Sequence, residues 1–425
     1  MFHQKITRST ARRAARRRQR GYVLFTIAGA IIAICGFSGL VVDAGYAEYV
    51  RRQAQAAADA GAKAAALEIQ AGQSNAIAAA AQQDTANNGF TNGVGNVVVT
   101  VNHPPLLGSY AANNGFAEVI VSKTISTTFM AVLGTPSMTV SARSVGGNGP
   151  GTGCVYVMDP AANKALTVSG SGSLQTSCGV WVNSGSGDAM DVSGGAGVCA
   201  SEIKIVGNFS NSGSGCGGAG VSPTPQTGMA TFLDPLAYVP APTVGGCDHI
   251  GTFNGNGQTL NQGVYCGGIK VSGGASASFN SGTYILLGGG LDVSGGSSIT
   301  GSGVAFYNTG NATYAYKPIV VSGGSATNLS APTSGPLMGI LFFQDRSISN
   351  TQQNTISGGS GAVFTGALYF PSTPLVYSGG STTPGGPYTI IVAQTLTISG
   401  NSAFGSDYST LSGGNPIRNG SILAE

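Results

Sequence analysis

Hydrophobic residues are distributed along this chain in several distinct ways, and each predicts a different element. Residues 21–42, "GYVLFTIAGAIIAICGFSGLVV", form a run of 22 residues without a charge. As a helix this run spans about 30 Å, the thickness of a bilayer core. Residues 44–88 are rich in Ala, the strongest helix former. The helix is therefore expected to continue to about residue 87, where Asn87, Asn88 and Gly89 supply a stop. Gly61 and Gly72 are its weak points, and its Ala-rich surface predicts close packing on a neighbouring helix or on the following sheet. Between 96 and 145, "NVVVTVN", "FAEVIVSKTISTTFMAVL" and "SMTVSARSV" alternate β-branched and polar residues, which predicts a small antiparallel unit close to the membrane.

From Gly146 onward a phrase recurs. "LTVSGSG" at 166, "MDVSGG" at 190, "IKVSGG" at 269 and "LDVSGG" at 291 are followed by "IVVSGG" at 319, "NTISGG" at 354, "LVYSGG" at 375 and "LTISGN" at 396. The marker Ser falls at 169, 193, 272, 294, 322, 357, 378 and 399, with several intervals of 21 to 28 residues and longer ones that hide a degenerate copy or an insertion. A short strand, then a Gly turn that accepts positive φ, then the same again predicts a solenoid. A Gly/Ser linker would not return its Val, Ile and Leu in register. The fold class is thus mainly β: an N-terminal transmembrane α-helix extending into a long Ala-rich helix, a small strand unit, then a right-handed parallel β-helix. The boundaries fall at 1–20 (basic tail), 21–43 (span), 44–88 (Ala-rich helix), 89–145 (strand unit) and 146–425 (solenoid). The inward residues Val271, Val293 and Val321 should stack in one column.

Composition sharpens this picture. Only 8% of the residues are charged, and 56 of the 69 Gly lie in the last 280 residues. Residues 1–20 hold eight of the 19 basic residues and no acid, which leaves eleven against 16 acidic residues in the body. A basic tail beside an apolar run is a topology signal, placing the N-terminus in the cytoplasm and everything after Asp43 outside. It argues against nucleic-acid binding, which needs basic residues on a folded face. A cleaved signal peptide would have a shorter apolar region, so an uncleaved signal anchor is expected. Prepilin-type cleavage after Gly21 is disfavoured because Thr26 stands where prepilins resemble one another in carrying Glu.

Candidate chemistry is sparse. Cys35 lies in the span, while Cys154, Cys178, Cys199, Cys216, Cys247 and Cys266 lie outside it. Their even number suits structural disulfides in an oxidising compartment, and the absence of any CxxC pair argues against zinc. Residues one coil apart sit on adjacent strands about 4.8 Å apart, within reach of a disulfide. Sequential pairing is therefore expected: Cys154–Cys178, Cys199–Cys216 and Cys247–Cys266. "DVSGGSSITGSG" at 292–303 begins like a metal-dependent adhesion site, with Asp292 and Ser294, but Gly296 replaces the last ligand and the phrase belongs to the repeat. Asp248 and His249 in "CDHIG" are the best catalytic constellation available, and loop residues beside a disulfide are the plainer reading. No catalytic, metal or cofactor site is expected.

The N-terminal residues also carry a family likeness. Arg20–Gly21 before the span, Val42–Gly45 at its outer end and Gln55–Ala60 after it ("QAAADA") resemble the N-terminal domain of TadG-like Flp pilus-assembly proteins. The resemblance covers about 50 residues and implies an inner-membrane protein of a bacterial tight-adherence (Tad) pilus system, with pilus-assembly components as partners. Some relatives continue into a von Willebrand A domain; this chain does not, and its Gly-rich region is similar to the tails of other Tad-domain proteins. The reading is a non-enzymatic envelope protein serving assembly or attachment. The alternative is a β-helix enzyme or lectin acting on envelope or surface polysaccharide, which a groove of clustered carboxylates and aromatics would favour and a smooth Ser/Thr/Asn face would not.

Overall fold

The computed structural model describes residues 4–322, 326–349, 351–357, 362–378, 387–412 and 414–424. Residues 1–3 of the basic tail and the Gly pairs that end the phrases at 319, 354 and 375 lie outside them.

Helix α1 runs from Gln4 to Gln70 and α2 from Ile77 to Asn87. The expected single helix to residue 87 is therefore broken, and the break falls at Gly72, whose φ of +70° ends the helical path. The chain turns back so that α2 packs on α1. Gly61, the other weak point, does not interrupt α1. A Cβ there would come within 2.8 Å of Thr85 and 3.0 Å of the Ala81 carbonyl, so the missing side chain is what lets the two helices close. The buried face of α1 is made of Ala54, Ala57, Ala58, Ala62, Ala65 and Ile69, spaced three and four apart as one helical stripe requires.

That stripe lies on a four-stranded antiparallel sheet of β1 (Val97–Asn102), β2 (Phe116–Ser126), β3 (Ser137–Pro150) and the C-terminal strand Arg418–Leu423. Contact is close: a Cβ at Gly146 of β3 would lie 2.1 Å from the Ala62 carbonyl oxygen. Two features differ from the sequence boundaries. Strand β3 runs past 145 to Pro150, and residues 418–423 leave the solenoid to pair with β3.

The solenoid has three faces. All eight recurring phrases supply strands to one of them. Their third residues form a single register column: Val271, Val293, Val321, Ile356, Tyr377, Ile398, Val168 and Val192. Seven of the eight are buried, and Tyr377 is partly so. The long interval between the phrases at 190 and 269 contains two degenerate copies, "FSNSG" at 209 and "FNGNG" at 253, which extend the same face at its two ends.

The coils do not stack in chain order. Along the second face the strands run Ile203–Ile205, Gly179–Val182, Gly153–Val157, Thr389–Ala393, Val363–Phe370, Ile340–Gln344, Val304–Thr309, Gly282–Leu287, Gly263–Cys266 and His249–Ile250, all parallel. The solenoid begins in the middle of this row and climbs to one end. It then returns along the whole row and winds back from the far end, so that its last coil meets its first. At this seam Ile391 pairs with Val155, Leu396 with Leu166, Thr397 with Thr167 and Ile398 with Val168.

The return is made by a strap, residues 227–247. The nine strand spacings of the row amount to about 43 Å, and the 21 residues of the strap reach about 70 Å when extended, so the strap crosses with slack. It covers the outer side of the second face. Phe232 packs on Tyr156 and Trp181 at ring distances of 5.7 and 5.6 Å. Further along, Tyr369 donates a hydrogen bond to Asp234. This cover explains why "ILFFQ", "TIIVA" and "GCVYV" read as continuous apolar runs: these strands are buried on both sides.

The column yields a direct test. A buried Val contributes about 1.5–3 kcal/mol, and an unpaired carboxylate in its place costs more. We predict that Val293→Asp unfolds the surrounding coils, whereas Thr397→Asp, one residue off the column and facing outward, leaves the thermal midpoint nearly unchanged. Equal midpoints for the two variants, measured by circular dichroism, would contradict the column.

Candidate functional site at the helix and sheet junction

Helix α1 is the one helix among the described residues long and apolar enough to cross a membrane, and only 6% of its most apolar window is covered by the rest of the chain. Phe25, Ile32, Ile34, Phe37, Val41 and Val42 are all exposed. Burial begins in the last turn of this apolar stretch, at Gly39. Asp43 is only 5% exposed, and its carboxylate accepts the backbone N–H groups of Thr128, Phe129 and Met130 at 3.0, 2.8 and 2.7 Å. Those residues begin α3 (Phe129–Val132), a single turn in the loop between β2 and β3. The first turn of a helix leaves N–H groups unpaired, and here a side chain from the far end of the apolar stretch satisfies them.

The Gln55–Ala60 motif is equally well used. Gln55 donates to Asp59 at 2.8 Å and to the Arg143 carbonyl of β3 at 3.1 Å, while Ala57 and Ala58 are buried against the sheet. Arg143 in turn donates to Glu118 of β2, which also accepts from Asn102 of β1 at 2.7 Å. Burial alone would raise the Glu118 carboxyl, but the Arg143 and Asn102 hydrogen bonds outweigh it and hold the group below its ordinary range. One polar ladder thus crosses three strands on the sheet face turned away from the helix.

The strap meets this unit on its other side. A Cβ at Gly72 would lie 3.0 Å from the Ala237 carbonyl, the Tyr238 hydroxyl donates to the Pro416 carbonyl at 2.6 Å, and the Arg418 N–H donates to the Pro235 carbonyl. At the same place Arg346 binds the strap from the solenoid. Its guanidinium donates to the carbonyls of Leu236 and Val239, lies 3.5 Å from Asp234, and sits over the rings of Phe343 and Tyr369. Burial pushes the Asp234 carboxyl and the Tyr369 hydroxyl up, with Arg346 pulling both down. The cluster is therefore a lock on the strap, its polar groups turned toward one another. Sequence reading does not single it out. The available signal is scarcity: in so charge-poor a region, an Asp or an Arg is retained only where a partner holds it.

The residues expected to carry chemistry fall in separate places. The structure joins Cys154 to Cys178, Cys199 to Cys216 and Cys247 to Cys266, each with a Cα–Cα distance of 5.7 Å. The first two staple coils on the seam side of the row; the third ties the end of the strap to Gly263–Cys266, the second strand in from the far end. Cys35 is free and exposed on α1. Asp248 accepts the Val264 N–H at 2.8 Å, and His249 stacks on Tyr265 at 4.5 Å, so the two are used separately. Asp292 faces Lys270 of the next coil at 3.4 Å. Among the described residues no three of His, Cys, Asp and Glu group as metal ligands would. A cleft of about 250 Å³ lies between Trp181, Lys204 and Phe232 where the strap begins.

A family model described as Tad, Flp pilus-assembly TadE/G-like, matches residues 21–71, so the chain carries an N-terminal Tad domain. No curated protein and no solved structure matches the chain. The match ends at the Gly72 break, and it takes in the Asp43 cap, the Gln55 contact and the Ala stripe.

The Glu118 ladder predicts an acid response. A carboxylate whose folded value is depressed adds stability that is full above its unfolded value and is lost as pH falls through the folded one. On acidification from neutrality the thermal midpoint should drop, and Glu118→Gln should drop less over the same interval while starting lower. Parallel curves for the two proteins would show that the ladder has no part in it.

Proposed function

We propose that this chain is a membrane-anchored envelope protein of a Tad/Flp-type pilus system, non-enzymatic, with its N-terminus in the cytoplasm and its solenoid held outside the inner membrane. The observation that carries the reading is the Tad domain itself, an exposed apolar helix whose motif residues continue directly into the folded body. The basic residues before the span supply the orientation.

The third solenoid face supports a structural or adhesive role over the alternative of a polysaccharide-active enzyme. Its outward residues Thr259, Ser278, Thr300 and Asn328 stand in register and exposed, a smooth row of hydroxyl and amide groups without a carboxylate. The outward aromatic residues Tyr156, Trp181 and Tyr369 of the second face, a natural lining for a sugar groove, are engaged by Phe232 and Asp234 of the strap. Such a body acts as a rigid arm, stiff along its axis because each coil is bonded to the next. In a pilus system an arm of this kind serves assembly of the filament or attachment to a surface.

Two measurements test the reading. Reporter fusions should place residue 20 in the cytoplasm and residue 150 outside; the reverse, or a mature soluble chain starting near Asp43, would contradict the anchor. In a host that makes Flp-type pili, deletion of the gene should reduce piliation or surface attachment, with recovery by the full chain. Unchanged filaments and unchanged attachment would contradict the pilus assignment.

A further inference from the structure

The loop between β2 and β3, residues 127–136 ("TTFMAVLGTP"), has no charge. Hairpin tips in water favour Gly, Asn, Asp and Ser; this one exposes Phe129, Val132 and Leu133, the last two by 85% and 72%. It is held firmly. Asp43 takes three of its N–H groups, and the Phe129 ring fills the space over Gly39, where a Cβ would come within 2.3 Å. Gly39 lies inside the uncharged run, about 5 Å below Val42 along the helix. The tip is thus pinned beside the last turn of the membrane span, where Val41 and Val42 are also exposed.

We propose that this tip is a second membrane contact, dipping into the outer leaflet beside α1. The inference rests on the anchor reading above. An exposed apolar patch of this kind needs a cover, and its place beside the last turn of the span names lipid as that cover. The position of Asp43 then has a physical reason, because its carboxylate satisfies the N–H groups of a turn that enters a medium where no water can do so. Two contacts rather than one also fix the angle at which the sheet and solenoid stand on the membrane, which a lone helix, free to tilt, cannot.

The test uses the full chain with Cys35→Ala, reconstituted in phosphatidylcholine vesicles. An environment-sensitive fluorophore is attached in turn at Leu133→Cys in the tip, at Ile32→Cys in the span, and at Leu106→Cys, which is exposed in the loop at the opposite end of β2. Lipid carrying a nitroxide near the headgroup should remove most of the emission from position 133, lipid carrying it at the end of the acyl chain should remove most of that from position 32 in mid-span, and neither should dim position 106. If position 32 is quenched and 133 is not, the anchor stands and the tip proposal is wrong. A label at 133 that is blue-shifted but unquenched overturns it as well, since protein and not lipid then covers the tip. If position 32 also stays bright, the anchor reading fails and takes the proposal with it.

Discussion

A parallel β-coil leaves a row of unpaired N–H and C=O groups on each edge, and this chain closes the largest such gap by pairing the edge of its first coil with that of its last. Everything else in the body follows from that seam. Because the solenoid starts beside its own end, the strand that enters it (β3) and the strand that leaves it (Arg418–Leu423) can lie together in one sheet. Because the first segment climbs away from the seam, the chain must come back, and the strap exists to bring it back. The register at the seam also completes the buried column, with Ile398 meeting Val168 as any two successive coils would.

The strap converts this topological need into stability. It buries the outer side of the second face, and it is held by Phe232 at one end, Arg346 in the middle and the Cys247–Cys266 bridge at the other. Arg346 and Tyr238 place its middle against the same corner where α1 turns at Gly72. The Tad helix, the sheet, the seam and the strap therefore converge on one junction. A load on the solenoid would pass to α1 through that junction and not through a flexible linker.

Much of this is legible in the sequence, and the limits are physical. Local patterns read well: the apolar run, the Ala stripe, the period of the Val and Ile column and the cysteine spacings each report a nearest-neighbour constraint. The motif at Val42–Gly45 is visible as a motif, but its partner, the Thr128–Met130 turn, is not, since backbone N–H groups carry no side-chain signature. The coil order is invisible for a related reason. Every coil offers the same edge, so "LTISG" at 396 fits above "LTVSG" at 166 as well as any other pair, and nothing within a repeat says which it meets. Gly61 and Gly72 both stand out as weak points of the helix, yet what makes the break fall at Gly72 is tertiary: Gly61 packs on α2, and Gly72 abuts the strap.

The seam itself is open to a single measurement. Thr167 and Thr397 are outward register partners on adjacent strands, so cysteines placed at these two positions lie at a distance a disulfide can span. Ser210 and Asn254 occupy the equivalent positions at the two ends of the row, where a solenoid wound in chain order would instead bring them together. Mild oxidation of the folded protein, followed by peptide mapping, should yield the Thr167→Cys to Thr397→Cys bridge in high proportion and no bridge from Ser210→Cys to Asn254→Cys. The opposite outcome, a bridge between 210 and 254 with 167 and 397 left as free thiols, would contradict the permuted order of the coils.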